Sequence, residues 1–252
     1  MIGGLRAATS FLTRLPVGGP VDGRAVGRSL PWFPLVGAAV GLAVAGVYVG
    51  ARHAWPALLA ATLGLAAGVG ATGAFHEDGF ADFADGLGAR DRGSIRRAMR
   101  DPRLGTYGVI ALALGTLARV GAIAALAPVP ALLWLPAAHA ASRATALGLL
   151  AVFPPAPGDG LGSGVAVRAG RARPGAAVLV GTAIGVVALG WWGLVAAGVA
   201  AAVSLGVGRV ARHRLGGLTG DVLGTAQQVG EIGILLLGAG IAGSWTLPPW
   251  WP

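Results

Sequence analysis

The chain has 252 residues, 55% of them hydrophobic and only 12% charged, with a formal net charge of +9 and no cysteine. Charged residues at about half the usual share, together with recurring apolar runs near 20 residues, exclude an ordinary soluble domain and predict an all-α, polytopic membrane bundle. The missing cysteine excludes disulfides and thiolate metal sites, and the basic excess, all of it arginine, reads as loops facing anionic membrane lipid and not as a nucleic-acid surface.

In chain order, the first thirty residues form an amphipathic start carrying Arg6, Arg14, Arg24 and Arg28. Ile2, Leu5, Phe11, Leu12 and Leu15 suit a helix lying in the interface, and no signal-peptide core is evident. Seven spans are expected, at about 31–50, 55–74, 105–127, 130–152, 175–191, 193–208 and 229–247. Polar segments at 76–104, 153–174 and 209–228 interrupt them, and the closing WTLPPWWP suits an interfacial anchor. If the spans alternate from a cytoplasmic N-terminus, sixteen of the nineteen arginines fall on one side, Arg119 and Arg143 lie within spans, and only Arg52 falls outside. The arginine distribution therefore predicts an N-in, C-out protein of the cytoplasmic (inner) membrane. With no internal repeat, residues 1–252 read as one membrane domain with its chemistry at the cytoplasmic face.

That chemistry centres on Gly73–Gly108, which holds six of the ten acidic residues. Asp78, Asp82 and Asp85 stand at i, i+4 and i+7, within roughly 60° of one another on a helix. Like charges on one face destabilise a bare helix, and an oxygen-only donor set selects a hard cation such as Mg²⁺. Glycines beside the acids (Gly79, Gly86, Gly88) disfavour helix but permit close approach to backbone. The plain alternative is a solvated loop between spans. His76 points roughly opposite Asp78 by helical phase, so it serves as ligand or base only if the helix starts after it. Asp101 reads either as the cap of the 105–127 span, with Pro102 at its first position, or as a functional acid. Arg103 reads either as a bidentate phosphate grip or as a positive-inside anchor.

In GGLTGDVLG (216–224), glycines before a helix start can present backbone amides, Gly220 among them, to a phosphate. Asp221 would repel that phosphate unless a cation intervenes, which suggests a metal ligand or base; the alternative is a plain cap. Asp221, Gly224, Gln228 and Glu231 share one side of the helix that follows. Arg119, Arg143 and Glu231 are costly in a span without partners and are expected to face the interior, Arg143 toward a carboxylate or phosphate. His53, His139 and His213 read as structural.

HEDGFADFADG resembles the HxDGxADxxDG signature of the cobalamin synthase (adenosylcobinamide-GDP ribazoletransferase) family. FLTRLPV, FPLVG, RDPRLGTYG, the Ser142-Arg143 pair, GLG at 160–162 and GGLTGDVLG stand in that family's order across nearly the whole chain. The resemblance implies a membrane enzyme that joins α-ribazole, or its 5′-phosphate, to adenosylcobinamide-GDP with Mg²⁺, releasing GMP. On the matching motifs it implies Asp78, Asp82 and Asp85 as metal ligands and Asp82, Asp85 and Asp221 as catalytic groups. Arg14, His76, Arg103, Arg143 and Gly220 would then bind substrate, and a homo-oligomer is compatible with all of this. Glu77, Pro157 and Gln228 depart from the pattern, standing where members of the family commonly have an apolar residue, an arginine and an acid. The acid spacing is also similar to that of CDP-alcohol phosphotransferases, which favours Asp82 or Asp85 as base and raises a lipid-alcohol acceptor as an alternative. A secondary transporter, from a different class, would need midplane charges and paired repeats.

Overall fold

The computed structural model describes residues 2–18, 22–157 and 170–251. Asp159, Arg168 and the GLG motif at 160–162 lie outside the described residues. Those residues hold eleven α-helices, and no strand beyond an isolated bridge between Pro155 and Leu218. They are α1 (Ile2–Leu12), α2 (Gly23–Ser29), α3 (Phe33–Ala51), α4 (Ala57–Thr72), α5 (Phe75–Leu87) and α6 (Arg92–Ala98). After these come α7 (Thr106–Ala125), α8 (Pro128–Gly148), α9 (Ala172–Leu189), α10 (Trp192–Leu215) and α11 (Gly220–Ile241).

Every apolar run folds as a helix, but length and composition qualify five to cross a membrane: α2 running into α3, then α7, α9, α10 and α11. A sixth is added if α4 and α5 count as one bent span, so this criterion gives fewer than the seven spans expected. α4, at 16 residues, is short. α8 is long enough but too polar, for a reason visible in its place. It is the central helix, in contact with α3, α9, α10 and α11, and nearly every residue from Ala137 to Leu147 is buried. A stretch surrounded by protein has no outward side to keep apolar, so it can carry His139, Ser142 and Arg143. Glycines let its neighbours approach: a Cβ at Gly41 would come within 2.5 Å of the Leu135 carbonyl oxygen, and one at Gly37 as close to that of His139. Tyr48, fully buried, closes the far side by donating to the Leu126 carbonyl at 2.7 Å.

Two features position the acid face. Gly73 (φ 66°) and Ala74 (φ 58°) are both left-handed, and the chain turns by 91° between α4 and α5. Glycine accepts that backbone freely, whereas alanine does so at a cost of about 1–2 kcal/mol. At 13 residues, α5 is about 20 Å long, too short to cross a core of about 30 Å, and its direction departs from that of α4. By itself it does not cross. The second feature is α11, which begins at Gly220, well before the expected start near 229. Thr219 caps it, its Oγ1 accepting from the Val222 amide at 3.2 Å. Asp221 thus stands in the first turn of a 22-residue helix. α10 likewise continues to Leu215, so Arg209–Arg214 is helical and not a loop.

Candidate active site

α5 packs between α11 and α7, and the glycines in its acid motif explain how. A Cβ on Gly79 would sit 2.9 Å from the Asp221 Cα, so alanine there would force α5 and α11 apart. Thr225 Oγ1 bonds the Gly79 carbonyl at 3.2 Å across the same contact.

The three aspartates of α5 share one face but have different surroundings. Asp85 turns to the start of α7, where its two oxygens accept from the amides of Gly105 and Gly108, each at 2.8 Å. A side chain at either glycine would collide with that carboxylate. The α7 cap is therefore Asp85, twenty residues upstream of the helix start at Gly105. Asp101, which read either as that cap or as a functional acid, instead binds Arg103 through the backbone amide and a two-pronged side-chain pair at 3.0 and 2.8 Å. This contact holds its carboxyl down at about 2. The physical reason is distance along the chain: Asp101 closes its own turn, while α7 starts only after Gly105. Arg103 is 87% exposed, its fork already filled, and it borders none of the clefts described here.

Asp82 lies between. Burial, then the charges of Asp78, Asp221 and Asp85, raise its carboxyl to about 6. Negative charge is thus gathered here without full neutralisation. Among the described residues no three acidic or histidine side chains converge as a ready ligand set. Mg²⁺ commonly takes only one or two carboxylates and leaves other positions to substrate phosphate and water. Asp78 at the cleft margin, with Asp82 one turn behind it, offers oxygen donors of the kind that a hard cation takes.

Two adjoining clefts meet at Asp78, which is exposed. The first, about 390 Å³, is walled by apolar side chains such as Phe11, Leu30, Phe33 and Leu147. Its polar groups are His76, Asp78, Arg143, Gly220, Asp221 and Gln227. Five of the residues singled out in the sequence therefore converge here, from α5, α8 and α11. His76 lies within α5, which starts at Phe75, and is buried beneath the cleft, not free on a loop. The second cleft, about 440 Å³, is bordered by Ser10, Thr13, Arg14, Thr72 and Gly73 and shares Phe11, Phe75 and Asp78 with the first. Asp82 and Asp85 border neither. Pro157 borders neither cleft and sits 3.5 Å from where a Cβ on Gly216 would be.

Below the first cleft lies a buried charge network. Arg119 pairs with Glu77 at 2.8 Å and stands 3.7 Å from Glu231, while Arg143 stands 3.5 Å from Glu231. Gln227 donates to Glu231 at 2.7 Å, and Gln228 to Glu77 at 3.2 Å. The expected interior partners of Arg119 and Arg143 are thus carboxylates. Glu77 and Gln228, both departures from the family pattern, bind each other. Sequence reasoning left Gln227 and His139 out of the site; their one signal was their position a helical turn from Glu231 and Arg143. Elsewhere on this end of the bundle arginines cap helix C-termini: Arg92 and Arg96 reach the carbonyls of His213 and Leu215, and Arg214 those of Leu87 and Ala89.

These helices and this cleft define a multi-pass membrane protein with carboxylates, an arginine and a helix N-terminus gathered at one polar end. The family model for cobalamin-5-phosphate synthase matches residues 4–239. The chain is 44% identical over 245 residues to the adenosylcobinamide-GDP ribazoletransferase of Bradyrhizobium diazoefficiens, covering 95% of this chain and 94% of that one. It is 40% identical over 241 residues to the protein of the same name from Ralstonia nicotianae, covering 90% and 91%. No solved structure matches. The chain belongs to the cobalamin-5-phosphate synthase family.

Proposed function

We propose that this protein, whose relatives are named adenosylcobinamide-GDP ribazoletransferases, joins α-ribazole, or its 5′-phosphate, to adenosylcobinamide-GDP, and that the cleft shared by α5, α8 and α11 is where it does so. The observation that carries this reading is the convergence of Asp78, Asp221, Arg143 and the α11 N-terminus on one space. In the reaction a ribose hydroxyl forms a bond to the phosphorus nearer the corrinoid. The bond from that phosphorus to the bridging oxygen breaks, and GMP leaves with the bridging oxygen. The amides at the start of α11 face a developing negative charge favourably, and Arg143 offers its fixed positive charge to phosphate oxygens. Asp78, which borders both clefts, is the carboxylate that would hold Mg²⁺, with Asp82 one turn behind it adding negative charge; the ion would supply charge stabilisation to the transfer. Asp85 is committed to α7, and Asp82 lies off the clefts. Asp221 is therefore the carboxylate we assign to take the proton of the attacking hydroxyl.

We further place α5 and the arginine-rich ends at the cytoplasmic face, since the arginine caps tie the 90–103 and 209–214 segments to one end of the bundle. α4 and α8 then complete seven crossings of the cytoplasmic membrane. The test of function is direct. Purified protein in lipid vesicles, given adenosylcobinamide-GDP, α-ribazole and Mg²⁺, should yield one GMP for each cobalamin formed, and neither product when α-ribazole is omitted. Hydrolysis to GMP without a joined product would refute the transfer.

A further inference from the structure

Arg143 reaches the cleft from the buried C-terminal half of α8, with a side chain only 3% exposed. A long guanidinium in that position has several rotamers and must be held in one of them to present a fixed fork. What holds it is one nitrogen. Nη1 donates to the His139 carbonyl at 3.0 Å, meets His139 Nδ1 at 3.2 Å and stands 3.5 Å from Glu231 Oε2. Its Nε is buried without a protein partner. The His139 contacts come from the preceding turn of the same helix and move with Arg143. Among the described residues, Glu231, on α11, is the one carboxylate that reaches Nη1 from another element.

Glu231 is itself fixed from three sides. Gln227 donates to the same oxygen at 2.7 Å, His139 Nδ1 lies 3.3 Å away, and Arg119 stands 3.7 Å from the other oxygen. Arg119 in turn binds Glu77, next to Asp78 on α5. The two arginines and two glutamates balance in charge, as a buried set must. Arg119 Nε, Arg143 Nε, Glu77 Oε2 and Gln228 Oε1 are buried atoms without a protein partner. Their residues line one small cavity of about 10 Å³. Two donors and two acceptors are the complement of a single water molecule, and the space is about the size of one.

We propose that Glu231 is a positioning residue: from within the bundle it sets the direction in which Arg143 presents its guanidinium to the phosphate groups of the nucleoside-diphosphate donor. This rests on the proposed reading of the cleft, and it adds that donor binding depends on a carboxylate that does not itself border the cleft. With Nη1 drawn inward and Nε buried beside the small internal cavity, Nη2 is the nitrogen left to face the ligand. If the anchor is lost, the charge stays in place while its orientation is free.

The test compares Arg143→Gln, Glu231→Gln and the double variant in lipid vesicles. The readouts are KM for adenosylcobinamide-GDP, KM for α-ribazole, and inhibition by inorganic pyrophosphate. Arg143→Gln should raise the donor KM and weaken pyrophosphate, by up to about a hundredfold if misplacement is near 1 Å. Glu231→Gln should do the same in kind, and the double variant should be no worse than Arg143→Gln alone, since Glu231 acts through that residue. The KM for α-ribazole should stay constant throughout. Glu231→Asp, which keeps the charge but withdraws it by one methylene, reads the same effect if the Gln variant does not fold. Should a folded Glu231 variant bind donor and pyrophosphate as the parent does while Arg143→Gln does not, the positioning role is overturned and the cleft reading stands. Additive losses in the double variant would also overturn it. An unchanged donor KM in Arg143→Gln would overturn the cleft reading of that arginine, and the inference with it.

Discussion

Replacing Asp85 by Asn should destabilise the protein, while the same change at Asp78, two turns earlier on the same face, should not. Asp85 bridges the amides of Gly105 and Gly108 at 2.8 Å each, joining α5 to the first turn of α7. A hydrogen bond to a charged group contributes about 1.5–3 kcal/mol, an N-cap about 0.5–2 kcal/mol, and a negative charge at a helix N-terminus about 0.3–1 kcal/mol. These overlap, since one carboxylate supplies all three, and Asp85 is only partly buried, so water replaces part of the loss. Asparagine keeps one acceptor and should cost about 1–2 kcal/mol. Alanine keeps none and should cost about 2–4 kcal/mol. At about 2–4 °C per kcal/mol for a chain of this size, both shifts can be read from thermal unfolding in detergent without divalent ions. Asp78→Asn, at an exposed cleft margin, should stay within about 0.5 kcal/mol of the parent. An Asp85→Asn protein that melts with the parent would refute the cap, as would an equal loss at Asp78.

Asp82→Asn should stabilise the protein in a pH-dependent way. The folded-state value of Asp82, about 6, exceeds its ordinary 3.8, so ionising it costs stability progressively between those values and fully above 6. The variant's advantage in melting temperature should therefore be present at pH 7.5 and absent at pH 3.5; an equal advantage at both would contradict the charge clustering. Gly79→Ala should lower both stability and turnover, because its Cβ meets the Asp221 Cα at 2.9 Å, and overpacking of this kind costs about 1–3 kcal/mol. Unchanged unfolding would show that α5 and α11 are less closely apposed. Reporters fused near Gly93 and after Trp251 should read opposite sides of the membrane; agreement between them would remove the seven-crossing arrangement.

The helices and the acid face were legible because both are periodic. Apolar runs mark spans, and i, i+4, i+7 spacing puts Asp78, Asp82 and Asp85 on one side whatever surrounds them. Periodicity says nothing of what stands opposite. That Asp85 is taken up by amides 20 and 23 residues later, or that Glu77 lies 2.8 Å from Arg119, depends on how three helices meet. The span rule passes over α8 for the same reason: it asks for an apolar helix, and from Ala137 to Leu147 α8 has protein around it. Local signals misled at Asp101, where a good cap sequence is used up in its own turn. The 91° break at Gly73-Ala74 had only half a signal, since glycine announces a left-handed residue and alanine does not.

The measurement that bears most directly on the cleft as the transfer site is GMP release by Asp221→Asn, paired with thermal unfolding with and without Mg²⁺. Asp221 borders the cleft at the start of α11, and we assign it the proton of the attacking hydroxyl. The variant should fold, keep the Mg²⁺-dependent rise in melting temperature that binding to the folded state produces, and release GMP about 10²–10⁴-fold more slowly, the range that a positioned proton acceptor supplies. GMP release near the parental rate from a folded Asp221→Asn protein would contradict the account.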